Sequence, residues 1–288
     1  MNMATRRFAC TQCGQCCNRA PEVELGEAAA LADVFVLRLL MRIYSLPRSL
    51  SDYASDLPRD QASAEFYQTK RLLGAFAAAS WTARVQRGGK VVDYVQYLSL
   101  SVLPLDLGGP SCPALTDNKC SIYERRPLSC RTVPLHYSRP EAAAVRDLDA
   151  FVASPGYLCE VSADAPMVIA EGRIVDPATV AARLAASEQA QRDHAWKAAL
   201  VKAMKAGQHG LPTSQMIEQQ AARGALSASM LGAWSVALGA GLIAASDLQL
   251  LLRSQSALIE RTIQGGAAPD PSATLAEMQR EYRAALQV

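Results

Sequence analysis

The sequence predicts a mainly α protein with a small β component, in which a cysteine-rich, metal-held N-terminal region precedes a C-terminal helical region. Three observations lead there. All eight cysteines fall at or before Cys159, four of them between Cys10 and Cys17. Long stretches of good helix formers carry apolar residues at helical spacing, and strict two-residue alternation is confined to short segments. The expected division is a cysteine-cluster region over 1–176, with a helical insertion, and a helical region over 177–288.

In chain order, Leu25 to Tyr44 reads as a helix that is apolar nearly all round (Leu31, Val34, Phe35, Leu39, Leu40, Ile43) and therefore buried, with Pro47 stopping it. Ala62 to Val85 reads as a second helix of strong formers. Gly88-Gly89 then turns the chain into a strand over Val91–Val102, where Leu98, Leu100 and Val102 alternate with Ser99 and Ser101. Cys112 to Cys130, punctuated by Pro113, Asn118 and Pro127, suits a metal-held loop. Met167–Ala170 and Arg173–Val175, joined by Glu171-Gly172, read as a strand pair.

Asp176-Pro177 supplies an N-cap and a first-turn proline for one long helix carrying Val180, Leu184, Trp196, Leu200 and Met204. Further helices are expected at about Thr213–Gly239, Ser246–Ile263 and Ser272–Leu286. Gly224 to Ser246 is uncharged and long enough to span a bilayer, but its Ala, Gly and Ser content predicts a buried helix ending at Gly239-Ala-Gly241 instead.

Composition excludes several classes. A net charge of +2 without any long Lys/Arg run does not imply nucleic acid. With 288 residues, 50% of them hydrophobic, the chain buries a core without disulfide staples. The first nine residues lack the apolar stretch of about 7–15 residues that defines a secretory signal. A reducing cytoplasm is therefore the expected setting, with the thiols available to metal. No Ser/His/Asp arrangement, phosphate-cradling glycine loop or His-Glu-x-x-His helix is present.

Cys10-x2-Cys13-x2-Cys16-Cys17 is the densest chemical signal. A Cys-x2-Cys step is a tight turn that aims two sulfurs at one point, and Gly14 supplies backbone freedom where N–H groups approach thiolate. With Cys112, Cys120, Cys130 and Cys159, the ligand pool is eight thiols. Adjacent Cys16 and Cys17 diverge, so they serve two centres, or one ligates while the other packs. The Cys-x2-Cys-x2-Cys run also occurs in bacterial ferredoxins, with a remote Cys-Pro to which Cys112-Pro113 corresponds. A four-cysteine zinc site competes with the iron–sulfur cluster, since thiolates suit both metals. Arg125, Arg126 and Arg131 beside Cys120 and Cys130 could offset the thiolate charge. His136 is the histidine nearest the cysteines and reads as structural.

Cys10-x2-Cys13-x2-Cys16-Cys17, then Cys112-Pro-Ala-Leu115, Cys120-Ser-Ile-Tyr-Glu-Arg-Arg-Pro127 and Cys130-Arg131 with Pro134 resemble the YkgJ-type cysteine-cluster proteins. The similarity covers about 1–26 and 110–160. It implies a zinc- or iron-chelating domain in which eight cysteines bind metal. The cysteine cluster of flagellin lysine N-methylases is similar, and for them an iron–sulfur cluster and S-adenosylmethionine are implied. The run here is Cys-x2-Cys-x2-Cys where a radical enzyme of that cofactor has Cys-x3-Cys-x2-Cys, and no methyl-donor loop follows a strand. Methylation is therefore the alternative to chelation, alongside a structural zinc module for contacts with a protein partner.

Overall fold

The computed structural model describes residues 5–17, 20–87, 89–107, 112–221, 224–266 and 269–287. Along the chain the elements are β1 (Arg6–Arg7), α1 (Ala28–Leu31), β2 (Leu37–Pro47), α2 (Arg59–Phe76), β3 (Ala77–Arg87), β4 (Lys90–Pro104), β5 (Leu115–Thr116) and β6 (Lys119–Cys120). They continue with α3 (Leu128–Arg131), α4 (Ala144–Val152), β7 (Met167–Ala170), β8 (Arg173–Ile174), α5 (Pro177–Arg192), α6 (His194–Lys205) and α7 (Ser214–Ala221). The last are β9 (Ala225–Ser229), α8 (Met230–Gly239), α9 (Ala245–Gln264) and α10 (Pro269–Leu286).

The fold class is mixed α/β: the described residues are about 48% helical and 21% strand and form three sheets, which corrects the expectation of a mainly α chain with a small β part. The largest sheet has four strands in the order β3-β4-β2-β9; the others are β1-β7-β8 and β5-β6. Most of the difference lies in three segments expected to be helical.

Leu25–Tyr44 contains only a 3-10 turn (Leu25–Glu27) and α1, after which the chain enters β2. Leu37, Leu39, Leu40 and Met41 are all buried, because β2 lies between β4 and β9 and is covered on both faces. The helix expected over Ala62–Val85 ends at Phe76, and β3 follows directly. Within Thr213–Gly239, Ala225–Ser229 is a strand paired antiparallel to β2, with Ser229 opposite Arg38 and Ala225 opposite Arg42. The single helix expected after Asp176 is two, α5 and α6, separated at the buried Asp193.

Other elements fall where the pattern put them. β4 covers the alternating run, and Gly88 of the expected turn lies outside the described residues. β7 and β8 join through Glu171 and Gly172, both at positive φ (53° and 75°), as a tight hairpin turn requires. Among the described residues no helix is long and apolar enough to cross a membrane.

The chain forms two compact units, and β2 and β4 run through both. The first comprises residues 1–16, 44–98 and 115–191. One of its cores gathers Phe8, Leu135, Leu148, Val168, Ile169 and Ile174; another packs Phe66 of α2 against Leu46, Tyr97 and Tyr53. Arg146 of α4 reaches Asp56 (2.7 Å), buried Glu65 (2.9 Å) and Asp147 (3.1 Å), tying α4 to α2. Arg183 of α5 donates to the carbonyls of Leu135, His136 and Arg139.

The second unit comprises residues 17–43, 99–114 and 192–288. Its irregular entry into β2 is organised by one side chain. Gln255 of α9 accepts from the Leu37 N–H (2.8 Å) and donates to the carbonyls of Ala32 (2.6 Å) and Phe35 (2.8 Å). Lys197 of α6 forms a buried ion pair with Glu24 at 3.1 Å. Trp196 donates to the Ala233 carbonyl, joining α6 to α8, and Trp234 packs against Tyr282 of α10.

Candidate metal centre

All eight cysteines carry thiols, none in a disulfide; Cys10 is exposed and the other seven are half-buried. Phe8 is fixed in a core, and its N–H donates to the Pro166 carbonyl at 3.0 Å, so the segment leading to Cys10 is anchored two residues ahead. Ala9 and Glu160 then exchange backbone hydrogen bonds of 2.8 and 3.1 Å as an antiparallel bridge. Cys159, which packs against the Phe8 core, is thereby carried to Cys10. The Thr11 hydroxyl donates to the Leu158 carbonyl at 2.8 Å and extends the pairing.

The turn after Cys10 follows from its spacing. Gln12 takes a left-handed conformation (φ 57°), and its N–H lies 3.4 Å from the Cys10 sulfur. The next turn repeats the arrangement: the Gln15 N–H is the chief influence holding the Cys13 thiol below its ordinary pKa. Burial works against this, and the Thr11 hydroxyl and Leu158 backbone reinforce it. Cys159 is displaced the other way, by burial first and then by Cys13 and Cys10. Three of the predicted ligands, Cys10, Cys13 and Cys159, thus sit within electrostatic reach of one another.

Gly14 sits between the two turns at φ +75°. A β-carbon there would lie 2.8 Å from the Asn118 carbonyl oxygen and 3.1 Å from Leu115. The cysteine turn therefore rests on the β5–β6 hairpin, whose own turn uses Asp117 and Asn118 at positive φ. That hairpin carries Cys120 opposite Leu115. Cys130 lies in α3, its N–H bonded to the Pro127 carbonyl. In the second unit the Cys112 N–H donates to the Cys17 carbonyl at 2.9 Å.

Two of the arginines expected to offset thiolate charge, Arg126 and Arg131, make contacts within their own loop. Arg126 stacks over the Tyr123 ring at 3.6 Å and donates to the Tyr123 carbonyl, while Arg131 donates to the Arg126 carbonyl. His136 stacks on Tyr137 and pairs through Nδ1 with Ser138. Burial, then Arg139 and Arg183, lower its pKa to about 4.

Among the described residues no group of three or more His, Cys, Asp or Glu side chains is already placed to hold a metal ion. The donor set near Cys10 is nevertheless of the right kind: soft sulfurs with N–H groups directed at them. Sequence spacing identified Cys10 and Cys13 together. It did not identify the supporting Thr11, Gln15 and Leu158, although a Cys-x2-Cys turn carries an N–H two residues beyond each cysteine as its signal.

Comparison with protein families, with curated proteins and with solved structures finds no match to this chain.

Proposed function

We propose that this is a metal-binding protein that chelates iron, as an iron–sulfur cluster, or zinc through cysteine thiolates, in the manner the YkgJ-type resemblance implies. The observation that carries the reading is the pair of successive turns in which Cys10 and Cys13 receive backbone N–H groups, with Cys159 brought beside them by the Ala9–Glu160 bridge. Hydrogen bonds from backbone N–H to sulfur are what a metal-bound thiolate needs from its surroundings, since they spread its negative charge.

Cys10, Cys13 and Cys159 would supply three thiolates of one centre. Cys16, Cys17, Cys112, Cys120 and Cys130 complete the predicted pool. The metal would hold thiolates together that otherwise repel, which links it to the folding of this region. A reducing, cytoplasmic compartment is part of the proposal, because oxidised cysteines cannot serve.

The test is anaerobic purification followed by metal and sulfide analysis. Brown protein containing iron and acid-labile sulfide supports a cluster; colourless protein with stoichiometric zinc supports the zinc form. Protein that binds neither metal after reconstitution refutes the proposal. Titration of the metal-loaded form with S-adenosylmethionine is expected to show no binding, and micromolar affinity, about −8 kcal/mol, would replace chelation by the methylation reading.

A further inference from the structure

The bridge that brings Cys159 to Cys10 also fixes how the two side chains face each other. Ala9 and Glu160 exchange both of their backbone hydrogen bonds, so they form the hydrogen-bonded type of antiparallel pair. The bridge is isolated, but its register sets the next residue on each chain, Cys10 and Cys159, opposite each other in the non-hydrogen-bonded position, for which side chains share a face and Cα atoms of a regular ladder lie about 4.5 Å apart. The Thr11 hydroxyl bonded to the Leu158 carbonyl holds the register one step further. A disulfide requires Cα separations of about 4.4–6.8 Å. A pair that keeps this register falls within that range.

Access is also arranged. Cys10 is exposed, whereas Cys159 is half-buried against the Phe8 core, so an oxidant in solution meets Cys10 first and Cys159 is positioned as its resolving partner. Cys13 is the competitor: its sulfur is engaged first by the Gln15 N–H but also by the Thr11 hydroxyl and the Leu158 backbone, and it acts on Cys159 more strongly than Cys10 does, so the peptide map must tell the two pairings apart.

We propose that Cys10 and Cys159 are an oxidisable pair that hydrogen peroxide converts to a cross-strand disulfide. The Cys10 thiolate attacks one peroxide oxygen, the O–O bond breaks, and hydroxide leaves to be protonated to water, giving the sulfenic acid. The Cys159 thiolate then attacks the Cys10 sulfur, forming the S–S bond and displacing hydroxide, which leaves as a second water. Two thiols lose two electrons and two protons, and peroxide gains both. The pairing rests on the Ala9–Glu160 bridge, the Thr11–Leu158 bond and the exposure of Cys10. In one respect it rests on the metal reading: where Cys10 and Cys159 hold metal, the bridge removes two of its ligands, so metal and disulfide exclude each other.

The experiment uses the full chain, purified anaerobically, analysed for metal, stripped with a chelator and exposed to equimolar hydrogen peroxide. Remaining thiols are alkylated, and tryptic peptides are sequenced by tandem mass spectrometry. The expected product links the Phe8–Arg19 peptide to the Asp147–Arg173 peptide, with fragment ions placing the bridge on Cys10. Cys10→Ser should abolish that linked peptide and Cys13→Ser should preserve it, with circular dichroism confirming that both variants fold. A bridge from Cys159 to any other cysteine, or over-oxidised Cys10 with Cys159 alkylated, overturns the proposal. Metal content of the untreated protein separates the two readings. Protein that forms the bridge but takes up neither iron nor zinc on reconstitution refutes chelation alone, and metal-loaded protein whose stripped form makes no bridge refutes the oxidisable pair alone.

Discussion

Gly14→Ala tests whether the cysteine turn is built on the β5–β6 hairpin. Two costs arise at this position. The first is conformational: Gly14 has φ +75°, where a β-carbon costs about 1–2 kcal/mol. The second is steric, because the new carbon meets the Asn118 carbonyl oxygen at 2.8 Å, a backbone atom that cannot rotate away. Forcing the hairpin or the turn to shift adds about 1–3 kcal/mol. Gly172 isolates the first cost, since it has the same φ of +75° with nothing within 4 Å of the β-carbon position.

The expected result is that Gly172→Ala loses about 1–2 kcal/mol and Gly14→Ala about 2–5 kcal/mol. Urea denaturation followed by circular dichroism measures both, with unchanged m-values required for the comparison. If the hairpin supports the ligand turn, Gly14→Ala should also lower metal content after reconstitution, and Gly172→Ala should not. Equal losses of stability in the two variants would refute the packing of Gly14 against Asn118.

Gln255→Leu should cost about 3–5 kcal/mol in urea unfolding, since it leaves the Leu37 N–H and the carbonyls of Ala32 and Phe35 without their buried partner, while exposed Gln61→Leu should stay within about 0.5 kcal/mol. Lys197→Met should destabilise by about 3–5 kcal/mol, because Glu24 is left charged where the paired side chains are only 4% and 7% exposed; adding Glu24→Gln should recover much of the loss. His136 should titrate near 4 by NMR. Its unfolded form takes up a proton around 6.5 and its folded form does not, so this contribution to stability is complete above about pH 6.5 and falls by about 3 kcal/mol as pH drops toward 4. A His136 titration near 6.5 would show that the ring is not confined by Tyr137, Arg139 and Arg183.

What the chain reveals of its own fold depends on how far apart the interacting residues lie. The β7–β8 hairpin was legible because Glu171-Gly172 and the flanking apolar residues form a local pattern. β2 was not, because its charged residues, Arg38 and Arg42, are four apart, a spacing that satisfies helical and strand periods alike. Their partners decide the matter: Arg38 bonds Ser227 on the neighbouring strand and Arg42 pairs with Glu22. β3 begins with Ala77-Ala78-Ala79, good helix formers overridden by sheet pairing, although Trp81 and Ala83 alternate with exposed Ser80, Thr82 and Arg84. β9 is built from Ala, Leu and Ser, and nothing in it asks for a strand except the edge that β2 offers.

The same distinction runs through the candidate centre. The turns at Cys10 and Cys13 are local, and their spacing alone predicts sulfurs facing N–H groups. Cys159 is placed by the bridge between Ala9 and Glu160, two residues with no signature in common. Local spacing can therefore specify which atoms are suited to metal, whereas the number of sulfurs that meet depends on pairing across most of the first unit. Perturbing that pairing at a residue other than a ligand separates the two: Glu160→Pro removes the N–H that donates to the Ala9 carbonyl at 3.1 Å while leaving every cysteine in place. Its expected effect is to weaken metal retention and to reduce the yield of the Cys10–Cys159 peptide together, because both depend on the one bridge. Retention of both at wild-type level, measured by metal analysis and peptide mapping, would show that some other contact brings Cys159 to the turn.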